Sequence, residues 1–326
     1  MTRRYAFRAS ALALLAFGAA FFLPAQEAGK GQAVRLGALK GPTGIGMIHL
    51  FETPPELPGG GRLEPVAVPN AEVMTAKAVS GEYDFAVLPL NMAAKLYSAG
   101  IPLSLAAVVG DGMVSFLTSD PAVSSLADLK GKEIFVAGQG ATPDYLLRRL
   151  LKETGLDPEK DLRLAYSLPY PEMAAALAAG KISTAVLPEP FATLALQANP
   201  ALKSPLDLGA LWTKATGQKS YPMSALVVSR KLAAERPEAV RAVLAAVKSS
   251  IEAVKADPAS AGLLVEKHEL GLKAPVAAKA IPRSAYVFVP APGARPAVEA
   301  LLRVFLETSP ASIGGKLPDG GFYAAF

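Results

Sequence analysis

Residues 132–143 read KEIFVAGQGATP and combine a short strand, a glycine-containing loop and the beginning of a helix. The run 132–137 predicts a strand that is largely buried. Thr142 is expected to be the N-cap of the helix and Pro143 its first residue, because proline lacks the N–H that a helix start leaves unused. Leucines at 146, 147, 150 and 151 continue the helical pattern. The stretch therefore predicts one strand–helix unit of an α/β fold.

The same alternation extends in both directions from this stretch. Strand-like segments lie at residues 34–39, 63–68, 83–88, 162–166, 183–187 and 224–228, with helical patterns between them. Helices that join consecutive strands indicate parallel sheets covered by helices. The alternation restarts after residue 118, and a further strand and helices follow the second run. We therefore predict an α/β chain whose first domain is made of two separate segments.

The composition excludes several classes of protein. The 326-residue chain is 51% hydrophobic and 19% charged, which is too apolar for a disordered chain. It has no cysteine, so disulfides, thiolate metal sites, a cysteine nucleophile and a lipid anchor on cysteine are excluded. Two histidines, His49 and His268, are too few for a histidine-rich metal centre. No cofactor is expected, and the length fits two domains.

The N-terminal segment predicts export. Residues 1–25 contain three arginines and no acidic residue, and the 15-residue run 9–23 is almost entirely apolar. A basic start, a short apolar run and a small residue at Ala25 are typical of a cleaved signal peptide. A retained membrane anchor is the alternative, but this run is shorter than the ~20 residues that span a bilayer. The general and the twin-arginine export routes both remain open.

Cleavage near Ala25 changes the charge of the chain. Loss of Arg3, Arg4 and Arg8 lowers the formal net charge from +5 to +2. The remaining basic residues alternate with acidic ones and lack the basic and aromatic interleaving of a nucleic-acid groove. We therefore expect a nearly neutral, monomeric periplasmic protein that binds no nucleic acid and carries no lipid anchor.

Loops after the first three predicted strands are candidates for ligand binding, because open α/β sheets bind ligands at the carboxyl ends of their strands. The loop 41–46 offers glycine backbone and a threonine hydroxyl, or is an ordinary tight turn; it lacks the lysine of a phosphate-binding loop. An asparagine follows each of the next two strands and either caps its helix or contacts the ligand. The candidate residues of these loops are Pro42, Thr43, Gly44, Asn70 and Asn91.

The second run of strands and helices adds further candidates. The loop 138–143 differs from a dinucleotide-binding fingerprint because Pro143 replaces its third glycine, and we expect a helix N-terminus that binds an anion or a dipole. Tyr170, at a helix start, either stacks on a flat ligand or packs as an ordinary tyrosine. Glu189, between two prolines, accepts hydrogen bonds either from a ligand or from the backbone of its turn. The loop itself contributes the candidates Gly140, Ala141 and Thr142.

Four stretches of sequence carry a resemblance to a known family. Residues 125–136, SLADLKGKEIFV, resemble a stretch common in substrate-binding proteins of ABC importers, particularly the alkanesulfonate-, taurine- and nitrate-binding and thiamine-precursor (NMT1-like) group. Residues 81–87 and 180–186 are similar to the helix–glycine–strand step of each lobe, and PEPF at 188–191 resembles the turn that often follows. The resemblance covers most of residues 33–310, and none of its motifs names a ligand.

The resemblance implies a type II periplasmic-binding-protein fold. In this fold two lobes, each a mostly parallel sheet flanked by helices, close around one small molecule and deliver it to an ABC permease. Lobe one would comprise residues 33–118 plus 222–326, and lobe two residues 119–221. Tyr221 and Met223, at the second crossing between the lobes, would then face the cleft.

The ligand and two alternative functions stay open on the sequence. The candidate loops favour a flat or partly apolar ligand such as an aromatic acid, a pyrimidine or a flavin. Lys40 is their one nearby cation, beside the acids Asp144 and Glu189, but helix N-termini and neutral donors leave a sulfonate or a nitrate-like anion possible. We expect a binding protein and no enzymatic activity. The alternatives are an enzyme on the same fold, of thiamine-precursor or menaquinone-pathway type, and a ligand-sensing partner of a receptor. Pyrimidine synthases of this superfamily use a cysteine-rich motif, which this chain lacks.

Overall fold

The computed structural model describes residues 31–326, and the predicted signal peptide, residues 1–25, lies outside the described residues. Strands and helices alternate through most of the chain, as the sequence predicts. The strands are β1 (Val34–Leu39), β2 (Leu63–Val68), β3 (Phe85–Pro89), β4 (Leu103–Asp111), β5 (Val114–Thr118), β6 (Glu133–Val136), β7 (Arg163–Ala165), β8 (Thr184–Pro188), β9 (Pro222–Ser229) and β10 (Ala285–Pro290).

The helices are α1 (Pro42–Ile45), α2 (Ile48–Glu52), α3 (Ala71–Val79), α4 (Leu90–Ser98), α5 (Thr142–Glu153), α6 (Tyr170–Ala178), α7 (Phe191–Ala198), α8 (Leu208–Thr216), α9 (Arg230–Glu235), α10 (Pro237–Ala256), α11 (Pro258–Lys267), α12 (Ala274–Ala280) and α13 (Ala291–Thr308). Short 3₁₀ helices lie at Leu126–Leu129, Ile281–Arg283, Pro310–Ile313 and Gly320–Phe322. Within residues 31–326, no helix has both the length and the apolar character needed to cross a membrane.

The strands form two sheets. The first has the order β10-β4-β9-β3-β1-β2, in which β2, β1 and β3 are parallel, β9 runs antiparallel to β3 and β4, and β10 runs antiparallel to β4. The second has the order β5-β8-β6-β7, in which β8, β6 and β7 are parallel and β5 is antiparallel. The predicted α/β fold class is confirmed.

Burial explains which sequences form the inner strands. β3, β4 and β8 are buried along almost their whole length, so they read as continuous apolar runs. β2 lies at an edge of the first sheet, and only its first and last residues, Leu63 and Val68, are buried. It also contains Pro65, which an edge strand tolerates because one side needs no ladder hydrogen bonds. The core of the first sheet is therefore set by its central strands.

The resemblance motif at 125–136 begins with a helix cap. Ser125 and Asp128 form a reciprocal capping box at the start of the 3₁₀ helix Leu126–Leu129. The Asp128 carboxylate accepts hydrogen bonds from the backbone and hydroxyl groups of Ser124 and Ser125, at 2.8–3.0 Å. These bonds, the one from the Ser124 N–H foremost, lower the pKa of Asp128 to about 2. The motif therefore has a local structural role.

The chain changes sheet between residues 111 and 114. β4 ends in the first sheet at Asp111, whereas β5 begins at Val114 and pairs with β8, with Val114 opposite Pro188. The sequence-based division placed residues 33–118 in lobe one. β5, at Val114–Thr118, instead pairs with a strand of the second sheet. The chain returns to the first sheet through β9, where Pro222 lies opposite Asp111. The two crossing segments thus lie side by side.

Apolar packing joins the elements of the two sheets. The rings of Tyr145 in α5 and Phe305 in α13 meet edge to face at 4.5 Å. Trp212 of α8 is fully buried and donates its indole N–H to the carbonyl of Ser220 at 2.8 Å, next to the returning crossing segment. The ring of Trp212 also packs against Tyr221. The contacts of Trp212 therefore hold the returning crossing segment.

Candidate ligand-binding site

A cavity of about 420 Å³ lies between the ends of strands from both sheets. Its wall on the first sheet comes from the segments that follow β1, β2 and β3 and from the start of β9, and its wall on the second sheet from the loops before α5, α6 and α7. The lining residues are Leu39, Lys40, Gly41, Pro42, Thr43, Pro69, Asn70, Ala71, Pro89, Asn91, Met113, Ala141, Thr142, Pro143, Tyr170, Pro188, Phe191, Met223 and Ser224. The volume falls in the range of ~300–1,000 Å³ that small-molecule sites occupy.

The first wall is held by backbone and capping bonds. The Gly41 N–H donates to the carbonyl of Leu270, and the hydroxyl of the buried Tyr286 donates to the carbonyl of Pro42 at 2.9 Å. Asn70 is the N-cap of α3: its Oδ1 accepts from the Val73 N–H at 2.9 Å, which leaves its amide nitrogen as a donor at the cavity. Asn91, the second residue of α4, makes no capping bond.

The second wall combines a glycine loop and two aromatic rings. Gly138 and Gly140 have φ values of +72° and +75°, which side chains other than glycine rarely adopt. The rings of Tyr170 and Phe191 meet edge to face at 5.6 Å, and burial raises the pKa of the Tyr170 hydroxyl. Thr142 is the first residue of α5 and not its N-cap, which is Ala141. Both residues still line the cavity.

Eight of the predicted site residues are brought together in this cavity. They are Pro42, Thr43, Asn70, Asn91, Ala141, Thr142, Tyr170 and Met223. They come from both sheets, since the rule that nominated them applies to the carboxyl ends of strands in either one. Their roles toward a ligand stay predictions.

Two glycines that were predicted as site residues, Gly44 and Gly140, do not line the cavity. Gly44 is buried, and a Cβ at this position would lie 2.3 Å from the backbone oxygen of Leu39. Gly140 donates its N–H to Oδ2 of Asp144 at 2.9 Å. The Gly140 N–H is therefore bound to the protein's own carboxylate, whereas binding of an anion or a dipole by the rest of this helix start stays a prediction.

Glu189 and Tyr221 also lie behind the lining. Glu189 is only 1% exposed, and its Oε2 accepts the Thr193 N–H at 3.0 Å while its Oε1 accepts from Nε of Arg283 at 2.6 Å. Tyr221 is 2% exposed and packs against Trp212. The backbone alternative for Glu189 thus matches its observed contacts, and an arginine from the first sheet supplies a partner that the sequence did not indicate.

Two buried acids behind the lining, Asp144 and Glu189, are paired with arginines of the protein. Asp144, 2% exposed, accepts hydrogen bonds from Nε of Arg148 at 2.6 Å and from the hydroxyl of Tyr166 at 2.7 Å, and Glu189 is paired with Arg283. Burial and the hydrogen bond to Asp144 raise the pKa of Tyr166. Lys40, which is exposed, is the charged side chain among the described lining residues. The lining therefore presents one positive charge and no negative one.

Several lining residues were missed by sequence reasoning. The prolines at positions 69, 89 and 188 each end a strand or directly follow one, so the strand-end rule covered their loops but nominated only polar neighbours. Met113 belongs to the first crossing segment and Phe191 to the start of α7. A search for apolar residues at the same strand ends would have found most of them. Among the described residues, no group of His, Asp or Glu side chains is placed to hold a metal ion.

Two helix-flanked sheets, two adjacent crossing segments and a cavity between strand ends define a type II periplasmic-binding-protein fold. The family follows from sequence: the model of the NMT1-like family matches residues 56–266, and the chain belongs to this family. The resemblance drawn from the motifs is thereby confirmed. No curated protein matches the chain in sequence.

Solved structures agree with this assignment. An ABC transporter protein from Parabacteroides distasonis is 28% identical, with a TM-score of 0.78 over 90% of this chain and 99% of that one. The periplasmic aliphatic sulphonate binding protein SsuA from Escherichia coli is 20% identical, with a TM-score of 0.68 over 88% and 92%. The alkanesulfonate-binding protein SsuA from Xanthomonas axonopodis pv. citri, bound to MOPS, is 19% identical, with a TM-score of 0.62 over 91% and 98%. The last two identities are low, so these similarities concern the fold.

Proposed function

We propose that this chain is the solute-binding component of an ABC importer, which captures a small organic molecule and delivers it unchanged to a membrane permease. The observation that carries the proposal is the cavity between the two sheets, lined at the strand ends where α/β proteins bind ligands. Membership of the NMT1-like family and the similarity to an ABC transporter protein support it. Export and cleavage near Ala25 complete the proposal and are tested by N-terminal sequencing of the secreted protein.

The proposed ligand is an organic anion with a flat or apolar body. The lining carries the positive charge of Lys40 and the donors of Asn70 and of threonine and serine hydroxyls, but no carboxylate among its described residues. An anionic head is favoured by such a set, whereas an organic cation would find no counter-charge. Prolines, methionines, Tyr170 and Phe191 offer apolar and aromatic surface to the body of the ligand.

The proposed mechanism is closure of two lobes by population shift. We propose lobes close to the sequence-based ranges, with β5 counted with the second sheet that it pairs with. A ligand that contacts both walls binds the closed arrangement more tightly than the open one and so shifts the equilibrium toward it. No bond is made or broken.

Mass spectrometry of the molecule released from natively purified, denatured protein is the direct test. An unchanged organic anion supports the proposal, whereas a chemically converted product contradicts it. Titration calorimetry with benzoate and benzamide, which differ in charge but little in shape, gives a second arm. We expect the carboxylate to bind about two- to fivefold more tightly, because the one cation of the described lining, Lys40, is exposed and screened by water. Equal affinities for benzoate and benzamide would contradict the proposal that the ligand is an anion.

Variants of the lining locate the binding. Lys40→Ala is expected to weaken the binding of the anion about two- to fivefold, because an exposed charge is screened by water. Lys95→Ala is the matched control, since Lys95 is an exposed lysine outside the lining. Tyr170→Ala removes an aromatic contact surface and is expected to cost about tenfold. Unchanged affinity in both lining variants would place the ligand elsewhere.

A further inference from the structure

One short segment of the first sheet contacts both walls of the cavity. Residues 283–286 run from the last residue of the 3₁₀ helix Ile281–Arg283 into the start of β10, one of the two edge strands of the first sheet. At one end Arg283 donates its Nε–H to Oε1 of Glu189, which follows β8 of the second sheet, at 2.6 Å. At the other end Tyr286 donates its hydroxyl to the carbonyl of Pro42, in the first wall, at 2.9 Å.

Glu189 is in turn fixed to the second wall. Its N–H donates to the carbonyl of Met113 in the first crossing segment at 2.8 Å, and its Oε2 accepts the N–H of Thr193 in α7 at 3.0 Å. The preceding residue, Pro188, lines the cavity, as does Met113. A continuous set of short contacts therefore runs from one wall to the other beside the crossing segment.

The Glu189–Arg283 contact is an ion pair within this set of contacts. The carboxylate is almost fully buried, whereas the side chain of Arg283 is 41% exposed. A buried carboxylate is held strongly by a charged donor, because losing that donor leaves an uncompensated charge away from water. Separation of the walls at this point would break the bond, so the pair favours one relative orientation of the two sheets.

We propose that Glu189 and Arg283 are positioning residues that set the angle between the two walls of the cavity. They do so by holding β8 and α7 of the second sheet to the segment before β10 of the first. Neither side chain contacts the cavity itself. They act on ligand affinity through the fraction of molecules whose walls are at the binding distance, which scales the apparent dissociation constant.

Spin-label distances in the ligand-free protein test this proposal. Ala76 in α3 and Ala175 in α6 are exposed, and these two helices begin at opposite walls. The chain has no cysteine, so labels on Ala76→Cys and Ala175→Cys attach only there. Double electron–electron resonance then gives the distribution of wall separations. Because no ligand is needed, the result is independent of the proposed transport function.

We expect Arg283→Gln to raise the ratio of longer to shorter distances about tenfold, the effect of losing one charge-assisted hydrogen bond. Arg283→Lys keeps the charge without the Nε donor and is expected to be intermediate. The matched control is Arg163→Gln, since Arg163 pairs through the same Nε with Oε1 of Glu133 at 3.2 Å, but between β7 and β6 of one sheet.

The outcomes separate a positioning role from a merely structural one. A shift with Arg283→Gln and none with Arg163→Gln supports the proposal. Superimposable distributions, or equal shifts with both variants, overturn it. If Arg283→Gln does not fold, Glu189→Gln takes its place, because it keeps the shape of the buried side chain and removes its charge. The distance distribution of Glu189→Gln is then compared with that of Arg163→Gln, and the same two outcomes support or overturn the proposal.

Discussion

The carboxylate of Asp144 holds the second wall of the cavity, and its replacement has an effect that follows from its bonds. Oδ1 accepts from Nε of Arg148 at 2.6 Å and from the hydroxyl of Tyr166 at 2.7 Å, while Oδ2 accepts the N–H of Gly140 at 2.9 Å. Asp144 also lies in the first turn of α5, where a negative charge is favourable. The Asp144 side chain is thus hydrogen-bonded to the glycine loop, to its own helix and to Tyr166, which follows β7.

Asp144→Asn keeps the shape of this side chain and loses its charge. If the amide oxygen accepts from Arg148 and Tyr166, the amide nitrogen faces the Gly140 N–H, donor against donor. If the amide is turned, two bonds are lost instead of one. Loss of a buried hydrogen bond and weakening of a charge-assisted pair together cost about 2–4 kcal/mol of unfolding free energy. Arg148 keeps Glu159 as a partner, so the cost stays below that of an isolated buried charge.

Equilibrium urea unfolding of the mature chain measures this cost, with the transition fitted in two steps if the lobes unfold separately. Glu153→Gln is the matched control on the same helix. Glu153 pairs with Arg149 at the same i, i+4 spacing and 2.7 Å, but the carboxylate side chain is 42% exposed, so we expect less than about 1 kcal/mol. If Asp144→Asn destabilises the protein no more than Glu153→Gln, the assigned role of Asp144 is wrong.

Two further predictions concern the backbone of the first wall and the capped motif. Gly44→Ala is expected to cost about 1–3 kcal/mol, because its Cβ would lie 2.3 Å from the Leu39 oxygen, whereas Gly293→Ala, in the open first turn of α13, is expected to be neutral or stabilising in the same urea assay. Asp128 has a folded pKa of about 2, below its ordinary value of 3.8, so its bonds to residues 124 and 125 stabilise the fold above pH 4, and that stabilisation is lost as the pH falls toward 2. The melting-temperature difference between the parent and Asp128→Asn should therefore shrink over that range, and a constant difference would contradict the assignment.

The alternation of strands and helices was predictable because it depends on local patterns. Buried strands such as β3 and β8 are apolar runs bounded by glycine or proline, and the helices that follow them show the spacing of an apolar face. The position at which the chain changes sheet was not predictable in the same way. β5 is a five-residue apolar strand whose partner, β8, lies about 70 residues further along the chain. Its composition suits either sheet, and only the pairing assigns it.

The location of the site followed from a rule about topology, whereas the contacts of its charged groups did not. Pro42, Asn70 and Tyr170 were nominated because they follow strands or begin helices, and topology brings such positions together. Glu189 was a candidate acceptor for a ligand or for the backbone of its turn, and its buried side chain bonds to the Thr193 N–H and to Arg283, 94 residues away. Sequence spacing carries no information on a partner at that distance, so the carboxylate looked available.

The contacts of two buried acids explain why membership of the family does not name a ligand. Asp144 and Glu189 are bound to arginines behind the lining and hold the walls, whereas Lys40 and Tyr170 line the cavity itself. Substitutions in the lining change the chemistry presented to a ligand without breaking the bonds that position the loops. The residues that hold the loops and the residues that line the cavity are therefore different. Sequence similarity in the first set indicates the fold and says little about which solute is bound. It follows that ligand selectivity has to be measured on the lining residues of each chain.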